Sequence, residues 1–74
     1  MSVPTINLIA TGENINRMRL EAGIAVKEIQ EACGFSTPYA VYKWIHGQNL
    51  PTIDNMLILA SLLNVTLNDI LIVE

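Results

Sequence analysis

Basic residues are scarce in this sequence, which has four lysines and arginines against seven aspartates and glutamates and a formal net charge of −3. A single cysteine, Cys33, excludes an internal disulfide. No apolar run reaches the roughly 18 residues of a membrane-spanning helix, and the N-terminus lacks the basic start and apolar segment of a signal peptide. We therefore expect a cytoplasmic chain that folds without a disulfide or a metal ion.

The apolar content is sufficient for a core in one small domain. Apolar residues make up 51% of the 74 residues, and charged residues make up 15%. This composition is too apolar for a disordered chain, and the length is typical of one domain. We expect an N-terminal arm over residues 1–11 and a folded domain over residues 12–74.

Apolar periodicity and capping signals predict five short helices and no strands. Thr11 and Gly12 open the first helix and Gly23 ends it. The second helix covers about residues 25–33, and Ser36 or Thr37 caps the third. Thr52 caps the fourth helix, and Asn64 ends it as a left-handed C-cap. Thr66 starts the fifth helix, and with Asp69 it resembles a capping box. The side chains predicted to face inward are Ile15, Met18 and Ala22 in the first helix, with Leu20 close to this face. In the second helix they are Val26, Ile29, Ala32 and Cys33, and in the third they are Val41, Trp44 and Ile45.

Segments in order along residues 12–71 resemble the phage-repressor-like (Cro-type, xenobiotic response element) helix-turn-helix family. The segments are residues 16–24, residues 26–34, residues 38–44, the turn from Gly47 to Pro51, and residues 60–71. The resemblance implies a compact, all-α, five-helix fold like that of lambda repressor. It also implies a transcriptional regulator whose recognition helix, about residues 37–46, lies in the major groove of duplex DNA.

The resemblance places a set of side chains at the DNA. Lys43 can donate to guanine or to a phosphate, and Tyr39 and Tyr42 can bond to phosphate or press on a thymine methyl group. The full set of expected DNA-binding residues is Thr37, Pro38, Tyr39, Ala40, Tyr42, Lys43, His46, Gln48, Asn49, Arg19 and Lys27.

Some positions depart from the family's pattern. Val26 stands where a phosphate-binding glutamine is common, and Gln30 stands where alanine is common. Ile45 replaces a glutamate that often pairs with an arginine of the first helix, which leaves Arg19 without that partner. The loop over residues 47–51 lacks the usual basic residues. Together with the acidic net charge, these departures favour an alternative function, a protein-interaction module that keeps the fold and has lost DNA binding.

The predicted fourth helix and the C-terminus carry apolar residues where a second surface is expected. Ile58 and Leu62 are one helical turn apart at positions that tend to be polar in the family. With Ile72 and Val73 they could form an exposed apolar strip, and such strips usually mark an interface. We expect a two-fold homodimer through this strip. In the alternative, the N-terminal arm covers the strip within one chain, through Ile6, Leu8 and Ile9.

No sequence feature points to an enzyme. The chain has one histidine and one cysteine, and it lacks a phosphate-binding loop and metal-ligand spacing. We expect His46 at a helix end and Cys33 as a small buried residue. We predict no catalytic residue, metal site, cofactor or small-molecule substrate.

Overall fold

The computed structural model describes residues 3–74 and contains five α-helices in this range. They are α1 Leu8–Glu21, α2 Val26–Ala32, α3 Tyr39–Ile45, α4 Ile53–Leu63 and α5 Leu67–Ile70. Within residues 3–74 the extended pairing is limited to an isolated antiparallel bridge between Ile6 and Val73. The expected all-α, five-helix fold is confirmed. No helix over these residues has the length and apolar character that crossing a membrane requires.

The first helix begins earlier than the sequence pattern predicts. The Asn7 side chain accepts a hydrogen bond from the backbone N–H of Ala10 at 3.0 Å, so the helix starts at Leu8. The prediction that Thr11 and Gly12 open this helix is wrong, because both residues are buried inside it. Residues 1 and 2 of the expected arm lie outside the described residues, and the division into an arm and a domain stays a prediction.

A close contact between helix backbones explains the glycine inside α1. A Cβ atom at Gly12 would lie less than 3.0 Å from the carbonyl oxygens of Trp44 and Ile45 in α3. Gly47, directly after α3, has φ +71°, and a Cβ there would lie 2.8 Å from the Cα of Ile9. These glycines therefore allow the backbones of α1 and of the end of α3 to touch, and this contact fixes how α3 is presented.

All five helices contribute to one core. Trp44 is 4% exposed and meets Phe35 edge to face, with ring centroids 5.8 Å apart, so its expected place in the core is confirmed. The buried apolar residues are Ile15, Ile29, Val41, Trp44, Met56, Leu59, Ala60, Leu63 and Ile70.

Some apolar residues of the first two helices are not buried as predicted. Leu20 is 61% exposed, because it lies off the buried face of α1. Ala22 has the helical spacing of the buried face, but it is the C-cap residue that follows α1 and is exposed. Ala32 is also exposed, whereas Val26 and Cys33 are half-buried beside the core residue Ile29.

The capping signals in the C-terminal half are confirmed. The Thr52 hydroxyl accepts from the backbone N–H of Asn55 at 3.3 Å. Asn64 ends α4 in the left-handed region, with φ 57°. Thr66 and Asp69 form the predicted capping box: the Asp69 carboxylate accepts from the Thr66 N–H at 2.9 Å, and the Thr66 hydroxyl accepts from the Asp69 N–H at 3.2 Å.

The two ends of the described chain are paired with each other. The N–H of Asn7 donates to the carbonyl of Ile72 at 2.8 Å, and the N–H of Glu74 donates to the carbonyl of Thr5 at 2.8 Å. The N–H of Ile72 donates in turn to the buried hydroxyl of Thr11 at 3.0 Å. These bonds hold residues 72–74 against the start of α1.

The apolar surface of α4 differs from the expected strip. Ile58 and Leu62 are half-buried, and Leu62 packs against the core. The most exposed apolar side chains of this helix are instead Ile53 and Leu57, at 69% and 55%. Ile72 and Val73 are 36% and 55% exposed. The arm covers this region only in part: Ile6 pairs with Val73, while Leu8 stays 39% exposed and Ile9 lies against Gly47.

Candidate nucleic-acid interface

The candidate site is built on the turn that joins α2 to α3. The backbone N–H of Phe35 donates to the carbonyl of Gln30 at 3.0 Å, and the Gln30 side chain donates back to the Phe35 carbonyl at 3.3 Å. The Phe35 ring then packs on Trp44. Gln30 therefore holds the turn against α3, a role that sequence reasoning missed.

The start of α3 corrects a second capping prediction. Pro38 is the N-cap residue, and no side-chain hydrogen bond caps this helix. Neither Ser36 nor Thr37 therefore acts as the cap, and both side chains are exposed. Proline suits this place because its fixed φ agrees with entry into a helix and its missing N–H leaves no unpaired donor.

One side of α3 is anchored in the core, and the opposite side faces solvent. Val41 and Trp44 are buried. Helical geometry then turns Tyr39, Tyr42 and Lys43 outward. Tyr39 is 74% exposed and Tyr42 is 45% exposed, so most of the Tyr39 side chain and nearly half of the Tyr42 side chain are available to a partner.

An open groove of about 460 Å³ runs along one side of α3 and reaches the start of α4. It has one basic lining residue, Lys43, and no acidic lining residue. The groove contains five of the predicted DNA-binding residues: Thr37, Tyr39, Ala40, Lys43 and Asn49.

A second, smaller groove of about 300 Å³ contains Tyr39, Tyr42, Lys43, His46 and Gln48, all predicted DNA-binding residues. The rings of Tyr42 and His46, one helical turn apart, are stacked with centroids 6.3 Å apart and planes 20° apart. His46 is the C-cap residue of α3, at the helix end as expected. Both grooves include Tyr39 and Lys43, which therefore form a ridge between them.

The remaining predicted DNA-binding residues, Pro38, Arg19 and Lys27, do not line either groove. The Arg19 guanidinium donates twice to the Asn16 side chain, at 3.1 and 2.6 Å, and once to the Ile24 carbonyl at 3.2 Å. Arg19 therefore closes the turn between α1 and α2. Lys27 is exposed near the start of α2.

The acidic charge of the chain lies outside the two grooves, since none of its seven acidic residues lines them. Among residues 3–74 the ion pairs consist of Arg17 with Glu21 alone, so Lys27 and Lys43 have no acidic partner in the described chain. The grooves are thus weakly positive on a chain whose net charge is negative.

Sequence reasoning missed Ser36, Thr52 and Asn55, which line the larger groove. Thr52 and Asn55 belong to the N-cap and first turn of α4. The sequence signal at Thr52 indicated a helix cap but could not indicate that the start of α4 lies beside α3. The groove wall is therefore rich in neutral hydrogen-bonding side chains.

Groups suited to metal binding or covalent chemistry are not gathered here. In the described part of the chain no three His, Cys, Asp or Glu side chains lie close enough to hold a metal ion. Burial raises the pKa of the Cys33 thiol, which favours its neutral form over the thiolate.

A five-helix bundle whose second and third helices meet at a short braced turn, with the outer side of the third helix exposed, defines a Cro/C1-type helix-turn-helix protein. The family model described as Helix-turn-helix (HTH_3) matches residues 15–70, and the chain belongs to this family. Membership supports a DNA-binding transcription regulator.

The fold is similar to a solved structure, the high-resolution crystal structure of the restriction-modification controller protein C.AhdI from Aeromonas hydrophila. The TM-score is 0.74 at 21% sequence identity, over 85% of this chain and 94% of that chain. At this identity the likeness establishes the fold. A search of curated proteins finds no significant match.

Proposed function

We propose that this protein is a sequence-specific regulator that binds duplex DNA with residues 37–46 in the major groove. One observation carries the proposal: Tyr39 and Lys43 form an exposed ridge between two grooves without carboxylates. The ridge lies on α3, the second helix of the motif, and in helix-turn-helix proteins the second helix enters the major groove. The major groove is about 12 Å wide and admits one α-helix. The anchoring of α3 through Trp44 supports a rigid presentation of this ridge.

The side chains divide into two groups by the part of DNA that they suit. Tyr39 and Lys43 lie on the exposed ridge, Ala40 lies beside them in the larger groove, and all three are suited to base edges. Gln48 and Asn49, after the helix, and Lys27, near the start of α2, are suited to phosphates. With few basic residues, this protein depends on hydrogen bonds and shape more than a basic domain does.

We further propose a two-fold homodimer, with the expected residues Ile58, Leu62, Ile72 and Val73 at or near the interface. The partial exposure of Ile72 and Val73 supports this surface, and the exposed Leu57 extends it. A dimer would read two half-sites about 34 Å apart, one helical turn of DNA. Sedimentation at micromolar concentration tests it: a species of twice the 8.2 kDa chain mass is expected, and a monomer contradicts the proposal.

Selection of duplexes from a random pool at low salt tests the DNA-binding function. We expect enrichment of a short two-fold-symmetric sequence. Lys43→Ala and Tyr39→Ala should each reduce affinity for this duplex at least tenfold while the circular dichroism spectrum stays helical. Arg17→Gln is the matched control, because it removes a positive charge from an ion pair outside both grooves.

The second candidate is a protein-interaction module that keeps this fold without DNA binding. The engagement of both arginines in contacts within the chain favours it, because only two lysines then remain free in the described residues. Failure to enrich any duplex, from a protein that is folded, would support this candidate and overturn the first.

A further inference from the structure

The larger groove beside α3 has an apolar floor under a polar rim that contains Lys43 and no carboxylate. Phe35, Ala40 and Leu50 line it and are half-buried, so they expose some carbon surface to the groove. Thr37, just before α3, and Lys43, within it, lie three residues to either side of Ala40 in the sequence, and Asn55 lines the groove from α4. An apolar floor with hydrogen-bonding walls suits a base edge that carries both a methyl group and an acceptor.

The charged side chains narrow the possible base contacts. The most frequent specific contact in protein–DNA complexes is arginine paired twice with guanine. That contact is not available to α3, whose basic side chains within Tyr39–Ile45 are limited to Lys43. Arg17 and Arg19 lie on α1 and are bonded within the chain. Discrimination between DNA sequences must therefore come from Lys43, from neutral polar side chains and from apolar contacts with the bases.

We propose that Ala40 packs against the C5-methyl group of a thymine in each half-site, beside the base pair that Lys43 contacts. This inference rests on the proposed function. Three residues of α-helix rise about 4.5 Å. Base pairs are stacked about 3.4 Å apart, so the thymine lies one or two base pairs from the Lys43 contact. The small side chain of Ala40 lets the methyl group approach the floor, and the absence of acidic lining residues fits the negative potential of DNA.

The test replaces each thymine of the selected duplex by deoxyuridine, one position at a time and symmetrically in both half-sites. This change removes the methyl group and keeps all base-pairing groups. We expect one position at which affinity falls about fourfold per half-site, the factor expected when one buried carbon group is lost. In the Ala40→Gly variant the same replacement should have little effect, because the alanine methyl group that the thymine methyl group would touch is already absent.

Ala32→Gly is the matched control, since Ala32 is an exposed helical alanine outside both grooves. It should keep the full effect of the deoxyuridine replacement, and circular dichroism should show both glycine variants folded. Binding that is indifferent to every thymine methyl group, or a methyl effect that persists unchanged in Ala40→Gly, overturns the Ala40 contact and leaves the proposed function standing. If no duplex is enriched at all, the proposed function fails and the Ala40 contact fails with it.

Discussion

Asn14 in α1 donates a hydrogen bond from its side-chain amide to the backbone carbonyl of Ile70 at 3.0 Å, across 56 residues of chain. The same amide donates to the carbonyl of Asp69 at 2.8 Å, and the Asn14 oxygen accepts from the guanidinium of Arg17. Asn14 is 8% exposed. A buried amide thus pairs the final carbonyls of α5, which have no partner within their own helix.

We predict that Asn14→Ala lowers the free energy of unfolding by about 2 kcal/mol or more, because buried carbonyls lose their donor. Urea unfolding followed by circular dichroism measures the loss. Glu13→Ala is the control: Glu13 is the exposed neighbour on α1, and the change should stay within about 0.5 kcal/mol. Equal losses in the two variants would show that the hydrogen bonds of the Asn14 side chain contribute nothing specific to stability.

We predict that Gly12→Ala destabilises the protein, although alanine is the better helix former by about 1 kcal/mol. The added methyl group would meet backbone oxygens of α3, which cannot rotate away, and overpacking of this kind costs about 1 to 3 kcal/mol. Thermal unfolding measures the effect.

Gly34→Ala is the comparison for this prediction. Gly34 has φ +76° and open space around it, so this variant carries the backbone strain of a left-handed alanine, about 1 kcal/mol, without a clash. A Gly12→Ala protein that is as stable as the wild type would contradict the close contact between α1 and α3.

How far the fold follows from the sequence depends on whether a signal is local. The caps at Thr52, Asn64 and Thr66 were predictable because each bond joins residues at most a few positions apart. The burial of Thr11 and Asn14 was not, since their partners lie 61 and 55 residues away. Polar residues whose partners are distant resemble helix starts or solvated positions when only the sequence is read.

The distinction between local and distant signals also applies to the exposed surfaces of α3 and α4. Once Trp44 is expected to face the core, helical spacing predicts that Tyr39 and Lys43 face outward. The structure places both residues on the exposed ridge. The contribution of Asn55 to the groove requires the packing of α4 beside α3. On α4 the sequence does not show which side faces the core, because the helix has apolar residues on all sides. Ile58 was therefore expected to be exposed, but Leu57 is the more exposed residue.

We predict an acid-dependent contribution from the capping box of α5. Hydrogen bonds from the backbone N–H and the side chain of Thr66 hold the pKa of the Asp69 carboxyl below its usual 3.8. Because the folded pKa is depressed, the ionised carboxylate stabilises the fold above the unfolded pKa, and this contribution is lost as pH falls through the folded pKa.

The measurement compares the unfolding midpoints of the wild type and Asp69→Asn from pH 7 downward. The wild type should be the more stable at pH 7, and the difference should shrink once the pH falls below about 4, the unfolded value for aspartate. A difference that stays constant down to pH 2 would mean that the charge of Asp69 does not contribute.

The salt dependence of DNA binding measures how many lysine charges lie at the duplex. A dimer that places Lys27 at a phosphate and Lys43 at a base edge in each protomer makes about four contacts between a lysine charge and the duplex, and each contact displaces counterions, so a plot of log affinity against log salt should have a slope of about −3 to −4. Lys43→Ala removes two of these contacts and should make the slope shallower by about 2. Fluorescence anisotropy on the selected duplex between 50 and 200 mM salt, the range over which such slopes separate, provides the measurement.

Arg17→Gln should leave this slope unchanged, because Arg17 is paired with Glu21 and lies outside both grooves. A slope that is equally steep in the wild type and Lys43→Ala would show that the Lys43 charge does not lie at the duplex. In that case α3 would not be the helix that approaches the duplex, and residues near Lys27 on α2 would be the next to vary.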